Sequence, residues 1–216
     1  MVSLLGLTLL LGWASTGEDT LRLRSVERPP PAGGPVDSVV WGVPQVRIAT
    51  GQGAASVWLL RWSDTVFVVA AIPDSTPSWR DELAISFDVA GDRPSRPEHQ
   101  NFQWSFRRLL DSSVVYRGRN GRWEPPRDDP DWRLGGERSG GGWEVSASES
   151  GREWVVIVRM DPAWFAGQSE GRRPAIAFRI YDDAPSGWFA WPDPHSGAGA
   201  TLVERTPALW VPVQER

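Results

Sequence analysis

Short apolar segments of strand length recur along the chain, and some of them alternate with polar residues at the two-residue period of a pleated β-strand. The segment 82–89 is the clearest case, because Leu83, Ile85 and Phe87 fall on one side of the expected strand. Trp79 stands just before this segment, in a turn-like lead-in of Pro and Ser, and is surplus to the apolar side of the strand. Similar segments of strand length recur: 45–49, 56–62, 65–72, 101–107, 113–117, 143–147, 153–160, 175–181, 188–191, 201–204 and 209–213.

Clusters of Gly, Pro, Asn and Asp separate the expected strands and have the chemistry of loops. Asn120 and Gly121 form a dipeptide that favours a tight hairpin turn. No segment keeps helical periodicity for three turns, and the best helical candidate is 161–167, where Asp161 can cap and Pro162 can take the first helical position. These patterns predict an all-β protein, a jelly-roll-like β-sandwich with one short helical turn.

The length of 216 residues suits a single domain. Residues 1–17 are a candidate signal peptide, because an apolar run at 4–13 is followed by small residues. The stretch 18–35 is rich in Pro and Gly and is predicted to be a linker, so that the sandwich occupies 36–216. The apolar run is too short to span a bilayer, and no other segment approaches that length. We therefore expect a secreted, periplasmic or cell-envelope protein without a membrane span.

The formal net charge is −4, and no basic run is dense enough to follow a phosphate backbone, so no nucleic-acid partner is expected. The chain has no Cys, which excludes disulfides and thiol chemistry. It has 14 Trp, whose rings can stack on ligands while the indole N–H makes a directed hydrogen bond. Trp58, Trp154 and Trp188 lie within apolar stretches and are predicted to pack in the core.

No combination of residues favours catalysis. His99 and His195 stand in loop sequences, where solvated surface histidines are common. Adjacent acidic residues, such as the pair at 81–82, point to opposite faces of a strand and cannot both address one glycosidic bond. No Ser has the Gly-x-Ser-x-Gly setting of a nucleophile elbow. We therefore expect a protein that is not an enzyme.

Aspartates gather at the ends of the expected strands, where irregular loops could offer the several oxygen ligands that calcium needs. The spacing of an EF-hand is absent. The candidates for a calcium site are Asp74, Asp88 and Asp182.

Five segments follow one another in a recognisable order: "GGPVDSVVWGVPQVRI", "SVWLLRWSDTVFVVAAIPDST", "SWRDELAISFDV", "GGGWEVSASESGREWVVIVRMDPAWF" and "RPAIAFRIYDDAPSGWFAWPDP". In content and order, these segments resemble the family 9 carbohydrate-binding modules. The resemblance covers roughly residues 34 to 206. It implies a β-sandwich that binds polysaccharide or oligosaccharide ends between two facing tryptophans and carries structural calcium.

The resemblance also implies site residues. Trp79 matches the tryptophan that precedes the acidic strand, and Trp191 matches the one in the Trp-x-Asp-Pro context. Polar neighbours that could orient a sugar are Arg80, Asp81 and Gln103. Ala84 stands where the family often has a Glu.

The sequence thus predicts reversible, non-catalytic binding of carbohydrate by aromatic stacking. One alternative is a structural or protein-interaction sandwich of the cell envelope, in which the same tryptophans are buried. A second is a haem-binding sandwich, for which Met160 would be an axial ligand, since it is the one methionine besides the initiator.

Overall fold

The computed structural model describes residues 20–32, 36, 38–110, 112–125, 143–160, 172–192 and 199–214. The strands among them are β1 (Leu21–Arg22), β2 (Arg24–Ser25), β3 (Val46–Thr50), β4 (Gly53–Trp62), β5 (Thr65–Pro73), β6 (Glu82–Asp88), β7 (Asn101–Arg107), β8 (Ser112–Arg119), β9 (Arg122–Glu124), β10 (Trp143–Ser150), β11 (Glu153–Met160), β12 (Ala175–Asp183), β13 (Ser186–Trp191) and β14 (Val211–Gln214). Two short helices, α1 (Ser38–Trp41) and α2 (Gly199–Arg205), and a 3-10 turn at Pro207–Leu209 complete the described elements.

These strands form two mixed sheets. An eight-stranded sheet has the order β1-β14-β12-β6-β7-β8-β9, with β13 also paired to β12. A six-stranded sheet has the order β10-β11-β5-β4-β2, with β3 also paired to β4. The prediction of an all-β sandwich is confirmed, since two β-sheets make up most of the described residues.

The main core lies between the sheets, on the faces that the alternating pattern predicts. Leu83, Ile85 and Phe87 of β6 are buried there. Phe87 stacks on Trp104 of β7 with ring centroids 6.1 Å apart, and Trp154 of β11 enters from the opposite sheet. Burial of these rings together with the aliphatic side chains around them stabilises the fold.

The central strands of the six-stranded sheet are apolar on both faces. Their outer face carries a second cluster that includes Trp58 and Leu60 of β4. Trp41 of α1 closes over it, edge-to-face against Trp58 at 5.9 Å. Trp58 also donates a hydrogen bond to the backbone oxygen of Gly42 at 2.9 Å, which satisfies its buried indole N–H.

The predicted hairpin turn at Asn120–Gly121 is confirmed between β8 and β9. Both residues have positive φ, 51° for Asn120 and 78° for Gly121. Two such residues in succession give the turn whose twist matches that of the strands.

The prediction of a linker over 18–35 is wrong at residues 21–25. β1 pairs in parallel with β14, and β2 pairs in parallel with β4, so this short segment joins both sheets. Leu21 and Leu23 are buried in the main core. Their alternation with arginines is a strand pattern that the nearby prolines obscure, and the domain begins before Val36.

The predicted strand at 201–204 is instead part of α2. Ala200 and Val203 are buried, and their three-residue spacing places them on one helix side. Val203 packs with Trp210 and Ala177 on the outer face of the eight-stranded sheet. Residues 1–19 and 161–171, with the candidate signal peptide and the helical candidate, lie outside the described residues. None of the helices described is long and apolar enough to cross a membrane.

Candidate functional site: an aromatic end of the eight-stranded sheet

Alternate residues of each strand in the eight-stranded sheet face away from the main core. We call this side the outer face of the sheet. Glu82 of β6, Tyr181 of β12 and Trp188 of β13 lie side by side in one cross-strand row. β6 begins, β12 ends and β13 begins at this point, so the three strand ends meet at one edge of the outer face. We call this region the aromatic end.

Trp79 lies beside the aromatic end, in the turn formed by residues 74–81, here called the Trp79 turn. Its side chain is 56% exposed. The turn is closed by Asp81, whose carboxylate accepts a hydrogen bond from the Ser78 backbone N–H at 2.6 Å. This arrangement explains why the chain has a tryptophan outside the strand: the apolar side of β6 is already filled, and Trp79 projects into solvent.

Trp188 supplies the second exposed aromatic ring. It is 39% exposed and packs against the ring of Tyr181, with centroids 5.1 Å apart. The guanidinium carbon of Arg179 lies 4.3 Å from the centroid of Trp188, in a cation–π contact. The prediction that Trp188 packs in the core is therefore wrong, because the register of β13 turns this residue outward.

Trp191 takes the opposite orientation. It follows Trp188 by an odd number of strand positions and so points to the other face of the sheet. It is paired with Phe178, lies 6.0 Å from that ring and packs against the main core. The prediction that Trp191 is the partner of Trp79 in a clamp is thus wrong as to orientation, since the structure does not bring the two rings to one face.

The three predicted polar site residues differ in accessibility. Arg80 lies at the surface, 5.5 Å above the ring of Tyr181, and pairs with Asp183 at 3.1 Å. Gln103 is buried on the outer face of β7 and donates a hydrogen bond to Ser86 at 3.2 Å. Asp81 is buried and bonded within the Trp79 turn, which corrects the expectation that it faces a ligand.

Arg179 was not among the predicted site residues, although its place between Phe178 and Ile180 in an alternating strand indicates that it faces away from the core. Its side chain lies on the outer face beneath Trp188, and its Nη1 donates to Glu204 of α2 at 3.0 Å. Its Nε finds no hydrogen-bond partner among the described residues. Burial lowers the pKa of Arg179, although the charge of Glu204 opposes this effect.

Under the aromatic end, three buried aspartates come together. Asp74, Asp81 and Asp182 each offer an oxygen within 4.8 Å of the others, and we call them the carboxylate cluster. The calcium prediction named two of these residues. Its third residue, Asp88, lies at the opposite end of β6, paired with Asn101, which corrects the predicted set.

Arg108 brings positive charge into the cluster from the end of β7. Its Nη1 donates to Asp74 at 2.6 Å and to Asp81 at 3.4 Å. The same guanidinium donates from Nε and Nη2 to Glu149 of β10, at 2.8 and 2.5 Å. The charge of Arg108 is therefore shared among three carboxylates, two of which belong to the cluster.

The pKa values of Asp74 and Asp81, the two aspartates of the cluster that contact Arg108, shift in opposite directions. Burial raises the pKa of Asp81, and the nearby charge of Asp74 adds to this rise. Burial acts in the same direction on Asp74, but hydrogen bonds from Thr76 and Gln52 and the charge of Arg108 hold the pKa of Asp74 below its usual value.

Whether the cluster fits a cation depends on the spacing of its carboxylate oxygens and on which of them have no hydrogen-bond partner. Asp182 is buried, and its Oδ2 has no hydrogen-bond partner among the described residues. Oxygens bound to one calcium ion lie about 2.3–2.6 Å from it, so two of them can be up to roughly 5 Å apart. The spacing of the cluster and the unpartnered oxygen thus fit a calcium ion.

The remaining chemical candidates lie apart. Met160 is buried in the main core, and His99 stands in an exposed region beside Gln100, 3.2 Å away. Met160 is buried and His99 is exposed, and this difference in environment does not favour the haem-binding alternative. His195 lies outside the described residues.

Comparison with known proteins shows the fold type. No family model and no curated protein matches the sequence. The structure is similar to a family 9 carbohydrate-binding module from Caldicellulosiruptor kristjanssonii in complex with glucose, with a TM-score of 0.55, 15% identity and coverage of 91% of this chain and 95% of that one. The module in complex with cellotriose gives a TM-score of 0.54 at 15% identity, with coverage of 91% and 93%.

A third solved structure, of a protein from Bacteroides uniformis described as carbohydrate-binding, gives a TM-score of 0.53 at 12% identity, with coverage of 91% of this chain and 99% of that one. The chain therefore has the β-sandwich fold of the family 9 carbohydrate-binding modules, as the sequence resemblance predicts.

Proposed function

We propose that this protein binds carbohydrate without catalysing a reaction, by stacking sugar rings on Trp79 and Trp188. The observation that carries the proposal is the exposure of these two large aromatic side chains, 56% and 39%, at one end of one sheet. Exposed aromatic rings lose favourable burial unless a ligand or partner covers them.

The aromatic end also has directed polar groups. A sugar has an apolar C–H face and a rim of hydroxyls, so its site needs flat rings with hydrogen-bonding groups beside them. Arg80 lies at the surface near Tyr181, whose hydroxyl is 2.6 Å from that of Ser186. Arg179 lies beneath Trp188 and supports its ring from the buried side through the cation–π contact.

The proposal of a non-catalytic role agrees with how the nearby carboxylates are used. Glu82, Asp183 and Glu204 are each held by an arginine, namely Arg107, Arg80 and Arg179. A glycosidase needs one carboxylate free to donate a proton and another to act as base or nucleophile. The similar Caldicellulosiruptor module was solved with glucose and with cellotriose, which supports a sugar as the ligand here.

Calorimetric titration of the purified protein with glucose, cellotriose and a panel of other oligosaccharides tests the proposal. We expect at least one sugar to bind, and both Trp79→Ala and Trp188→Ala to weaken binding by about tenfold or more, the size of loss seen for central aromatic contacts. Trp62→Ala is the matched control, because Trp62 is also 39% exposed but lies on the six-stranded sheet. Binding unchanged in both test variants would refute the stacking role.

We further propose that the carboxylate cluster holds a structural calcium ion. Asp74, Asp81 and Asp182 would supply its protein ligands. Calcium accepts such oxygen ligands and the irregular geometry of loops. A bound ion would also offset the charge of three buried carboxylates.

A second candidate function is contact with a protein of the cell envelope. Val39 and Val43, at either side of buried Trp41, are 93% and 75% exposed. Exposed apolar residues can belong to a protein interface. If no sugar in the panel binds, recovery of one defined partner that is lost in a Val39→Ser, Val43→Ser double variant would favour this candidate. Either function is consistent with the expected location of the protein outside the cell or in its envelope.

A further inference from the structure

We propose that a divalent cation in the carboxylate cluster holds the Trp79 turn against the β12–β13 hairpin, so that cation binding and carbohydrate binding strengthen each other. The proposal rests on the proposed function for its effect on sugar affinity. Its structural part is that the cation holds the Trp79 turn and the β12–β13 hairpin together. This part rests on the carboxylate cluster alone.

The cluster joins the segments that carry the two aromatic rings. Asp81 belongs to the Trp79 turn, whereas Asp182 belongs to β12, directly after Tyr181. Asp81 already accepts a hydrogen bond from the backbone N–H of Asp183 at 3.1 Å. An ion bound by both Asp81 and Asp182 would therefore connect the end of the Trp79 turn to β12. β12 pairs with β13, the strand that carries Trp188.

Further contacts connect the same segments above the cluster. The carboxylate of Asp183 accepts a hydrogen bond from the Ser78 hydroxyl at 2.9 Å and pairs with Arg80 at 3.1 Å. Ser78 and Arg80 are the two neighbours of Trp79 in the chain. A small change in the position of Asp182 and Asp183 would thus be transmitted to Trp79 through bonds on both sides of it.

The amide of Gln52 completes the surroundings of the cluster. Its Nε2 donates to Asp74 at 2.6 Å and to the backbone oxygen of Ala184 at 2.9 Å, and it lies 3.5 Å from Asp182. These contacts leave Oδ2 of Asp182 without a partner among the described residues. A buried carboxylate oxygen without a partner is costly, and it is the atom that an added cation would satisfy.

Charge also favours a cation at this point. The cluster contains three buried carboxylates, and Arg108 contacts two of them while also bonding to Glu149. One guanidinium shared in this way leaves the cluster with excess negative charge. A divalent ion would balance it, and Asp182 is the member without a contact to Arg108.

Two titrations of the wild-type protein provide the test. Affinity for the sugar that binds in the panel is measured once in 2 mM CaCl₂ and once in EDTA at about the same concentration. Calcium sites of extracellular modules have dissociation constants of about 0.1 to 1 mM, so the first condition fills such a site and the second empties it. We expect calcium to raise sugar affinity about tenfold. Because coupling is reciprocal, the sugar must raise calcium affinity by the same factor. Calcium binding with unchanged sugar affinity, or absence of calcium binding, would overturn the proposal.

Asp182→Asn tests the position of the ion, since it removes one charge and keeps the side-chain shape. We expect it to lose calcium binding and to bind sugar equally in calcium and EDTA. Asp64→Asn is the matched control, because Asp64 is exposed in the turn between β4 and β5. It should keep both calcium binding and the tenfold coupling. If Asp182→Asn is unfolded, the wild-type titrations still decide the matter.

Hydrogen exchange separates failure of this inference from failure of the proposed function. Calcium should slow amide exchange in both the Trp79 turn and residues 182–188, with no sugar present. If exchange slows but no sugar binds, the cation-dependent contact between the two segments is supported and the proposed carbohydrate binding is refuted. If calcium binds without slowing exchange in both segments, that contact is refuted whatever the sugar does.

Discussion

The outer faces of the two sheets use the same residue type in opposite ways. On the six-stranded sheet, Trp41 and Trp58 close against each other and against aliphatic residues, and both are buried. At the aromatic end of the eight-stranded sheet, Trp79 and Trp188 are 56% and 39% exposed, and Trp188 lies against the guanidinium of Arg179. The count of tryptophans therefore says little about function, whereas the polarity and exposure of their surroundings distinguish a packed face from a recognition face.

The largest expected effect is on the closed face. Trp58→Ala should lower the free energy of unfolding by about 3 to 5 kcal/mol, because it leaves a large cavity and removes the partner of Trp41. Urea unfolding followed by circular dichroism measures the change. A loss below about 1 kcal/mol would show that this cluster does not close the face as described.

The next largest effect concerns Asp88, at the end of β6 far from the aromatic end. Burial raises the pKa of Asp88 to about 6, above the ordinary value of an aspartate, although the backbone N–H groups of Arg93 and Gly91 donate to it. The folded protein therefore binds this proton more tightly than the unfolded chain does. Stability due to this group is present below the unfolded pKa and is lost as the pH rises toward the folded pKa, a loss of about 3 kcal/mol.

Comparison of wild type with Asp88→Asn isolates this contribution. The difference between their unfolding free energies should change by about 3 kcal/mol from pH 3.5 to pH 7, in favour of the variant as the pH rises. Urea unfolding at several pH values measures it. A difference that is constant over this range would mean that Asp88 ionises normally in the folded protein.

The smallest expected effect on stability is at the open face. Trp79→Ala should change the free energy of unfolding by about 0.5 kcal/mol or less, since its side chain is mostly exposed and the turn is held by Asp81. The same unfolding assay, run beside Trp58→Ala, gives the contrast between the two faces directly. Equal losses in the two variants would remove the distinction.

Much of the fold could be predicted from local pattern. The alternation of Leu83, Ile85 and Phe87 determines both the strand and its buried side, and Asn120–Gly121 determines a turn through backbone geometry alone. The first strands escaped prediction because Leu21 and Leu23 form a pattern too short to outweigh the nearby prolines.

The site was harder to predict from the sequence than the fold, because it depends on the pairing of strands that are distant in the sequence. Trp188 and Trp191 lie three residues apart in one strand, and the register of β13 against β12 decides which of them faces outward. Likewise, Asp81 and Asp182 meet because β6 and β12 are adjacent in the sheet. The odd spacing of the two tryptophans was a usable signal, since it shows that they cannot share a face.

One titration tests the central claim most directly, by comparing Trp188→Ala with Trp191→Phe against the sugar that wild type binds. The aromatic end requires Trp188, whereas Trp191 packs against Phe178 on the core side, where Phe can replace it. We expect Trp188→Ala to lose about tenfold or more in affinity, and Trp191→Phe to stay within about twofold of wild type. A large loss in Trp191→Phe with normal binding in Trp188→Ala would contradict the account and return the site to the position that the sequence resemblance implied.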